Sequence, residues 1–138
     1  LLKKSDEAAL INVSSGLGFI ARPFYNVYAV TKAGVRQFSE AMRRELKDFQ
    51  IHVMTVYPTA TDTPMMKNAE VGKEMDNPDD VARISLDGLE NKEIDVILGG
   101  EKRIQNVKKN FLNPLEMDEV IAGQFEALRE RTKNHRAM

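Results

Sequence analysis

The 138 residues include no cysteine and no tryptophan. The first absence excludes disulfides and thiolate metal sites, and it suits a reducing, cytoplasmic location. Histidine is scarce as well. His52 lies in an apolar run and His135 in a charged tail, and without a second ligand beside either one no metal site is expected. No run of about 18 apolar residues exists, and the opening LLKKSDE has no hydrophobic core segment of a signal peptide, so no membrane partner is expected. Charge of one sign is lacking too. With 20 basic and 21 acidic residues the formal net charge is −1, which gives no general reason to bind nucleic acid.

What is present, 42% hydrophobic and 30% charged residues in a single-domain length, is the composition of an ordinary globular domain. Residues 8–13, AALINV, form a short apolar run with β-branched members, as in a buried strand of a parallel sheet. From Val27 the apolar positions Val27, Val30, Val35, Phe38, Met42, Leu46 and Phe49 recur at helical intervals with no proline between them, and Asn26 is placed to cap the start. Residues 51–57, IHVMTVY, read as a second strand ended by Pro58. Strand, long helix and strand make a parallel crossover unit. A long loop follows over 58–76, then Asn77, Pro78, Asp79 and Asp80 carry a helix start. Residues 94–98, IDVIL, give a third strand, and Asn113, Pro114 and Glu116 open one last helix running through Met117, Val120, Ile121, Phe125 and Leu128. The charge-rich stretch holding Lys102, Arg103, Lys108 and Lys109 is expected to be a solvated face. The reading is α/β, a parallel sheet with helices, with 1–138 a single domain and 101–138 a helical extension.

The chemistry concentrates in residues 10–32, LINVSSGLGFIARPFYNVYAVTK. Tyr28 and Lys32 are four apart, which on a helix places both side chains on one face. A phenol with an ordinary pKa near 10 serves as a base at neutral pH only beside a positive charge, and Lys32 supplies one. Ser14 and Ser15 end the first strand at the sheet edge where open α/β folds bind ligands. Gly16-x-Gly18-x-x-Ala21 fits a dinucleotide fingerprint formally, but Pro23 would fall in the early turns of the helix that fingerprint requires. Those glycines are assigned instead to a loop passing close to substrate. Met65 and Met66 in the long loop could face an apolar substrate.

The segment SSGLGFIARPFYNVYAVTK resembles the active-site region of the short-chain dehydrogenases/reductases, with Ser15 thirteen residues before the Tyr of Y-x-x-x-K. VYPTATDTPM resembles the family's cofactor loop after the next strand, and NPDDVA the helix start after its mobile substrate loop. The resemblance implies Tyr28 as general acid/base, Lys32 as the group that lowers its pKa and holds the nicotinamide ribose, and Ser15 as partner of the substrate oxygen. It implies Pro58, Thr61 and Thr63 near the nicotinamide half of NAD or NADP, with Gly16, Tyr25 and Thr59 on the substrate side. Thr59 stands where the family usually has glycine, so a side chain enters the cleft there.

The fold the resemblance implies is the C-terminal half of a Rossmann-like, doubly wound parallel sheet in three layers, incomplete in this chain, and the implied activity is NAD(P)-dependent interconversion of an alcohol with a ketone or aldehyde. The family's pyrophosphate-binding unit has no counterpart in the sequence and would precede Leu1. Two readings follow. Either the chain is the catalytic half of such an oxidoreductase, forming a homodimer or homotetramer through the helix carrying Tyr28, or it is a non-catalytic fragment that only self-associates.

Overall fold

The computed structural model describes residues 1–67 and 75–133. The segment 68–74 of the long loop, and His135, lie outside the described residues. Three strands, β1 (Ala8–Val13), β2 (Ile51–Tyr57) and β3 (Asp95–Ile97), form a parallel sheet in the order β1-β2-β3. Five α-helices connect or follow them: α1 (Asn26–Glu45), α2 (Pro78–Glu90), α3 (Gly100–Leu112), α4 (Pro114–Ala122) and α5 (Phe125–Thr132). In the register Ala8 lies beside Ile51 and Val13 beside Val56, while Thr55 lies beside Asp95.

The alternation of β2 distributes the two helical layers. Met54 and Val56 join Val96 and Leu98 in a buried cluster that Val81 and Leu89 of α2 cover. The intervening residues face α1. There Asn12 of β1 donates to Ser39 Oγ of α1 at 2.9 Å, and the Tyr57 ring packs on Phe19, with centroids 4.3 Å apart. The fold is therefore α/β with helices on both faces of a parallel sheet, a partial Rossmann-like arrangement.

Tyr57 is 1% exposed and donates its hydroxyl proton to Asp95 Oδ1 at 3.1 Å. Burial first, then the charge of Asp95 and this hydrogen bond, push the phenol well above its ordinary pKa of 10.0. The unfolded chain would ionise Tyr57 near pH 10 and the folded protein would not, so its contribution is complete below about pH 10 and is lost as pH rises further. Tyr57→Phe is expected to remove this share of the alkaline loss, seen by comparing urea unfolding at about pH 8 and about pH 11.

Three boundaries differ from the sequence expectations. Asn26 is the first residue of α1 and not its cap; the capping position belongs to Tyr25, whose side chain makes no capping bond. The third strand is shorter than 94–98, ending at Ile97. The single last helix is two, α4 and α5, because the chain turns at Gly123 and Gln124. The proposed helix start at Asn77 does form, with its side-chain oxygen accepting from Asp79 N at 2.8 Å.

The apolar stripe of α1 also needs correction. Val27 and Val30 are each 71% exposed and Phe38 is 54% exposed; Leu46 of that stripe is buried just past the helix, but within α1 the buried residues are Ala29 and Ser39. Helical period and sheet-facing side are thus not the same thing here. Small and polar residues let α1 sit close on β1 and β2, and much of its apolar stripe points outward.

Candidate active site

The end of β1 sets the positions of both serines. Ser14 is buried; its backbone N–H bonds Val56 O at 2.8 Å and its hydroxyl donates to Lys32 O of α1, also at 2.8 Å. Its proton is committed to holding strand and helix together. Ser15 follows in extended backbone and its Oγ accepts from Leu17 N at 3.2 Å, which starts a tight turn over Gly16–Gly18. That bond uses a lone pair of the hydroxyl and leaves its proton to donate.

Gly18 does not border the cleft described below. A Cβ there would lie 2.8 Å from Ser14 Oγ and 2.9 Å from Lys32 O, so its role is to let the turn pack on the β1–α1 junction. The loop then reaches Phe24, whose φ of 70° lies in the left-handed region disfavoured for a bulky residue. Its ring packs against Phe125 of α5, with centroids 5.0 Å apart. This contact ties the loop before α1 to the last helix.

A cleft of about 710 Å³ opens at the C-terminal ends of the strands. Ser15, Gly16, Tyr25, Tyr28, Pro58 and Thr59 line one side of it, together with Arg22. Lys32 does not line it: its ammonium lies 5.6 Å from the centroid of the Tyr28 ring and donates to Val13 O at 3.2 Å. The structure thus brings Ser15 and Tyr28 to one cleft with the lysine charge beside the tyrosine. Tyr25 is half-buried, and desolvation raises its phenol pKa despite the opposing charges of Arg131 and Arg22. Thr61 and Thr63 stand outside the cleft lining. Thr61 donates to Thr59 O at 3.1 Å and bridges to Asp76, so it braces the loop.

The expected solvated face at 101–110 is half wrong. Arg103 turns inward from α3, and its guanidinium donates to Leu98 O at 2.7 Å, to Pro58 O at 3.2 Å and to Tyr57 O at 3.5 Å. It also packs against Gly16, where a Cβ would overlap it. Burial, followed by the like charge of Arg22, holds its pKa below the ordinary guanidinium value. The one sequence signal for it was a basic residue four positions after the Gly99–Gly100 turn, too common a pattern to single out. The opposite side of the cleft comes from α3–α5, including Met117, Val120, Ile121 and Leu128, and Met65 and Met66 of the long loop line it as well.

Thr59 Oγ1 is buried with no hydrogen-bond partner. An orphan hydroxyl just past the end of β2, beside Pro58 and on the same cleft as Ser15 and Tyr28, fits the amide-bearing ring of a nicotinamide cofactor, which brings both donors and acceptors. Among the described residues no group of acids and histidines could hold a metal ion, and no helix is long and apolar enough to cross a membrane.

The same segments match known proteins. Over 62 residues, 45% of this chain and 25% of its relative, the sequence is 40% identical to the uncharacterised oxidoreductase DltE of Bacillus subtilis. Human 17-beta-hydroxysteroid dehydrogenase type 3 is 27% identical over 130 residues, 92% of this chain and 40% of that protein. A short-chain dehydrogenase from Burkholderia cenocepacia, solved in complex with NADP, superposes with a TM-score of 0.75 at 25% identity, covering 87% of this chain and 49% of the other. The chain thus spans no more than about half the length of these relatives. The family model for short chain dehydrogenases matches residues 1–74, more than half of the 138, and the chain belongs to that family.

Proposed function

We propose that the full-length protein is an NAD(P)-dependent oxidoreductase that interconverts an alcohol with a ketone or aldehyde, with Tyr28 as general acid/base. The observation that carries this reading is the convergence of Ser15 and Tyr28 on one cleft with the Lys32 ammonium 5.6 Å from the Tyr28 ring centroid. Pro58 and Thr59 would hold the nicotinamide end of the cofactor, with Thr61 bracing that loop from behind. When bound, the nicotinamide ring exchanges a hydride with the carbonyl carbon. In the reducing direction, Ser15 donates a hydrogen bond to the carbonyl oxygen as negative charge grows there. The Tyr28 hydroxyl gives that oxygen its proton, and Lys32 places a positive charge beside the phenolate left behind. Met65, Met66 and the α4–α5 side chains exclude water and set which carbonyl compounds fit.

The test is hydride transfer from NADH or NADPH to a panel of aliphatic, cyclic and aromatic carbonyl compounds by the full-length protein. No transfer to any member would defeat the reading. The two serines sharpen the test. Ser15→Ala is expected to lower kcat/KM by about 10²-fold. Ser14→Ala is expected to cost about 1 kcal/mol of stability with a far smaller kinetic effect, because its hydroxyl is bonded to the helix. Reversal of that order would exchange their roles.

The outward stripe of α1 favours an association as well. Val30 and Phe38 stand in solvent on the helix that carries Tyr28, and a homodimer or homotetramer formed there would cover them. Val30→Glu with Phe38→Glu should then leave a monomer by light scattering. An unchanged mass would remove α1 from the interface.

A further inference from the structure

The loop that leads into α1 is strained, and the strain is held from outside the segment that carries the proposed chemistry. Phe24 has a φ of 70°, a left-handed backbone that a bulky residue rarely adopts. Tyr25, the next residue, occupies the capping position of α1. Its N–H bonds Arg22 O at 3.2 Å and its carbonyl accepts from Ala29 N at 2.7 Å. No side chain caps this end of the helix, so the direction in which the chain leaves Phe24 sets the first turn, and Tyr28 lies in that turn.

A strained conformation persists only where its surroundings impose it. The Phe24 ring packs against Phe125 of α5 as a tilted pair with centroids 5.0 Å apart, a contact that adds to simple burial. Neither ring lines the cleft. Phe125 therefore holds the entry of the helix from the last described element of the chain, beyond the 1–74 span that matches the family model.

We propose that Phe125 is a positioning residue: by clamping Phe24 in its left-handed conformation it fixes the entry of α1, and with it the place of the Tyr28 hydroxyl in the cleft. The role of Tyr28 rests on the oxidoreductase reading above; the backbone coupling does not and can be measured by itself.

The experiment compares Phe24→Gly with Phe24→Ala in the full-length protein. Both delete the ring and its contact with Phe125, but only glycine holds a positive φ without strain. Phe24→Ala and Phe125→Ala are each expected to lower kcat about tenfold with the KM for the cofactor nearly unchanged, whereas Phe24→Gly should stay within about threefold of wild type. Phe125→Tyr keeps the ring and should behave as wild type. Adding Phe24→Gly to Phe125→Ala should recover most of the lost kcat, because glycine needs no clamp. If Phe24→Gly falls as far as Phe24→Ala, the rings serve packing alone and the proposal is overturned; wild-type kcat in Phe125→Ala overturns it too. If the protein reduces no carbonyl compound, the oxidoreductase reading fails by itself, and amide hydrogen exchange at Tyr25 and Ala29 decides the coupling. Exchange about tenfold faster in Phe125→Ala and restored by Phe24→Gly upholds it. Equal exchange, or an acceleration that glycine does not reverse, overturns it.

Discussion

Replacing Tyr28 by Phe in the full-length protein is expected to lower kcat for carbonyl reduction by about 10²–10⁴-fold, with cofactor affinity nearly unchanged. The substitution removes one oxygen and keeps the ring. Tyr28 is half-buried at the cleft, in the first turns of a 20-residue helix whose packing on the sheet depends on Ala29, Ser39 and Leu46 instead. Stability should therefore change by less than about 1 kcal/mol, as for other partly exposed helix positions. The loss should appear in kcat more than in KM, because the proton is transferred only as the carbonyl reacts. Single-turnover kinetics with bound NADPH separates the two. If Tyr28→Phe reduces carbonyl compounds at the wild-type rate, the role given to this phenol is wrong and the acid must be sought elsewhere along the cleft.

Arg103→Met is expected to destabilise the protein by about 2–4 kcal/mol, the cost of removing a charged donor from several partly buried carbonyl groups. The guanidinium joins Leu98 O at the end of β3 to Tyr57 O and Pro58 O at the end of β2. It therefore staples the root of α3 to the loop that lies beside the orphan hydroxyl of Thr59. Methionine fills similar space along Gly16 but donates nothing. Arg103→Lys keeps the charge but not the fork, so it should recover only part of the loss. Urea unfolding measures both, with the slope against denaturant expected to stay constant. Full stability in Arg103→Met would show that water satisfies these carbonyls as well as the guanidinium does.

The parts of this fold that were legible in the sequence are those where local pattern and tertiary demand agree. The runs at 8–13 and 51–57 are apolar and β-branched, as strands of a parallel sheet are, and their bounds match the observed β1 and β2, although β1 lies at the edge of the described sheet with Ile11 and Val13 exposed instead of buried. Asn77-Pro78 marks a helix start because side-chain capping is a short-range event. The misses have the opposite character. Arg103 looked like any basic residue in a charged helix; what makes it inward-facing is the group of carbonyls gathered from two strands distant in sequence. Val30 and Phe38 follow the helical period, yet Ser39 took the buried side because Asn12 offered it a hydrogen bond. The break between α4 and α5 falls at a lone glycine, which sequence alone does not distinguish from a tolerated one. In the candidate site, the spacing of Ser15, Tyr28 and Lys32 was readable from the chain. The gathering of Arg22, Arg103 and Arg131 around the cleft was not, because they come from three separate segments.

The cleft has two sides of different origin. The groups proposed to react sit on the turn after β1, on α1 and on the loop after β2, all within the 1–74 span that matches the family model, while the facing wall is α3–α5, beyond that span. Direct contact between them is concentrated in a few places, among them Arg103 against Gly16 and the Phe24–Phe125 ring pair. Substitutions at Met117, Ile121 or Leu128 can therefore reshape what the cleft admits while the phenol, hydroxyl and ammonium keep their places. On the proposed carbonyl chemistry, a chain built this way can diverge in its choice of compound while the reaction stays constant, and directed evolution of the full-length protein toward new ketones should find its productive changes in the last three helices.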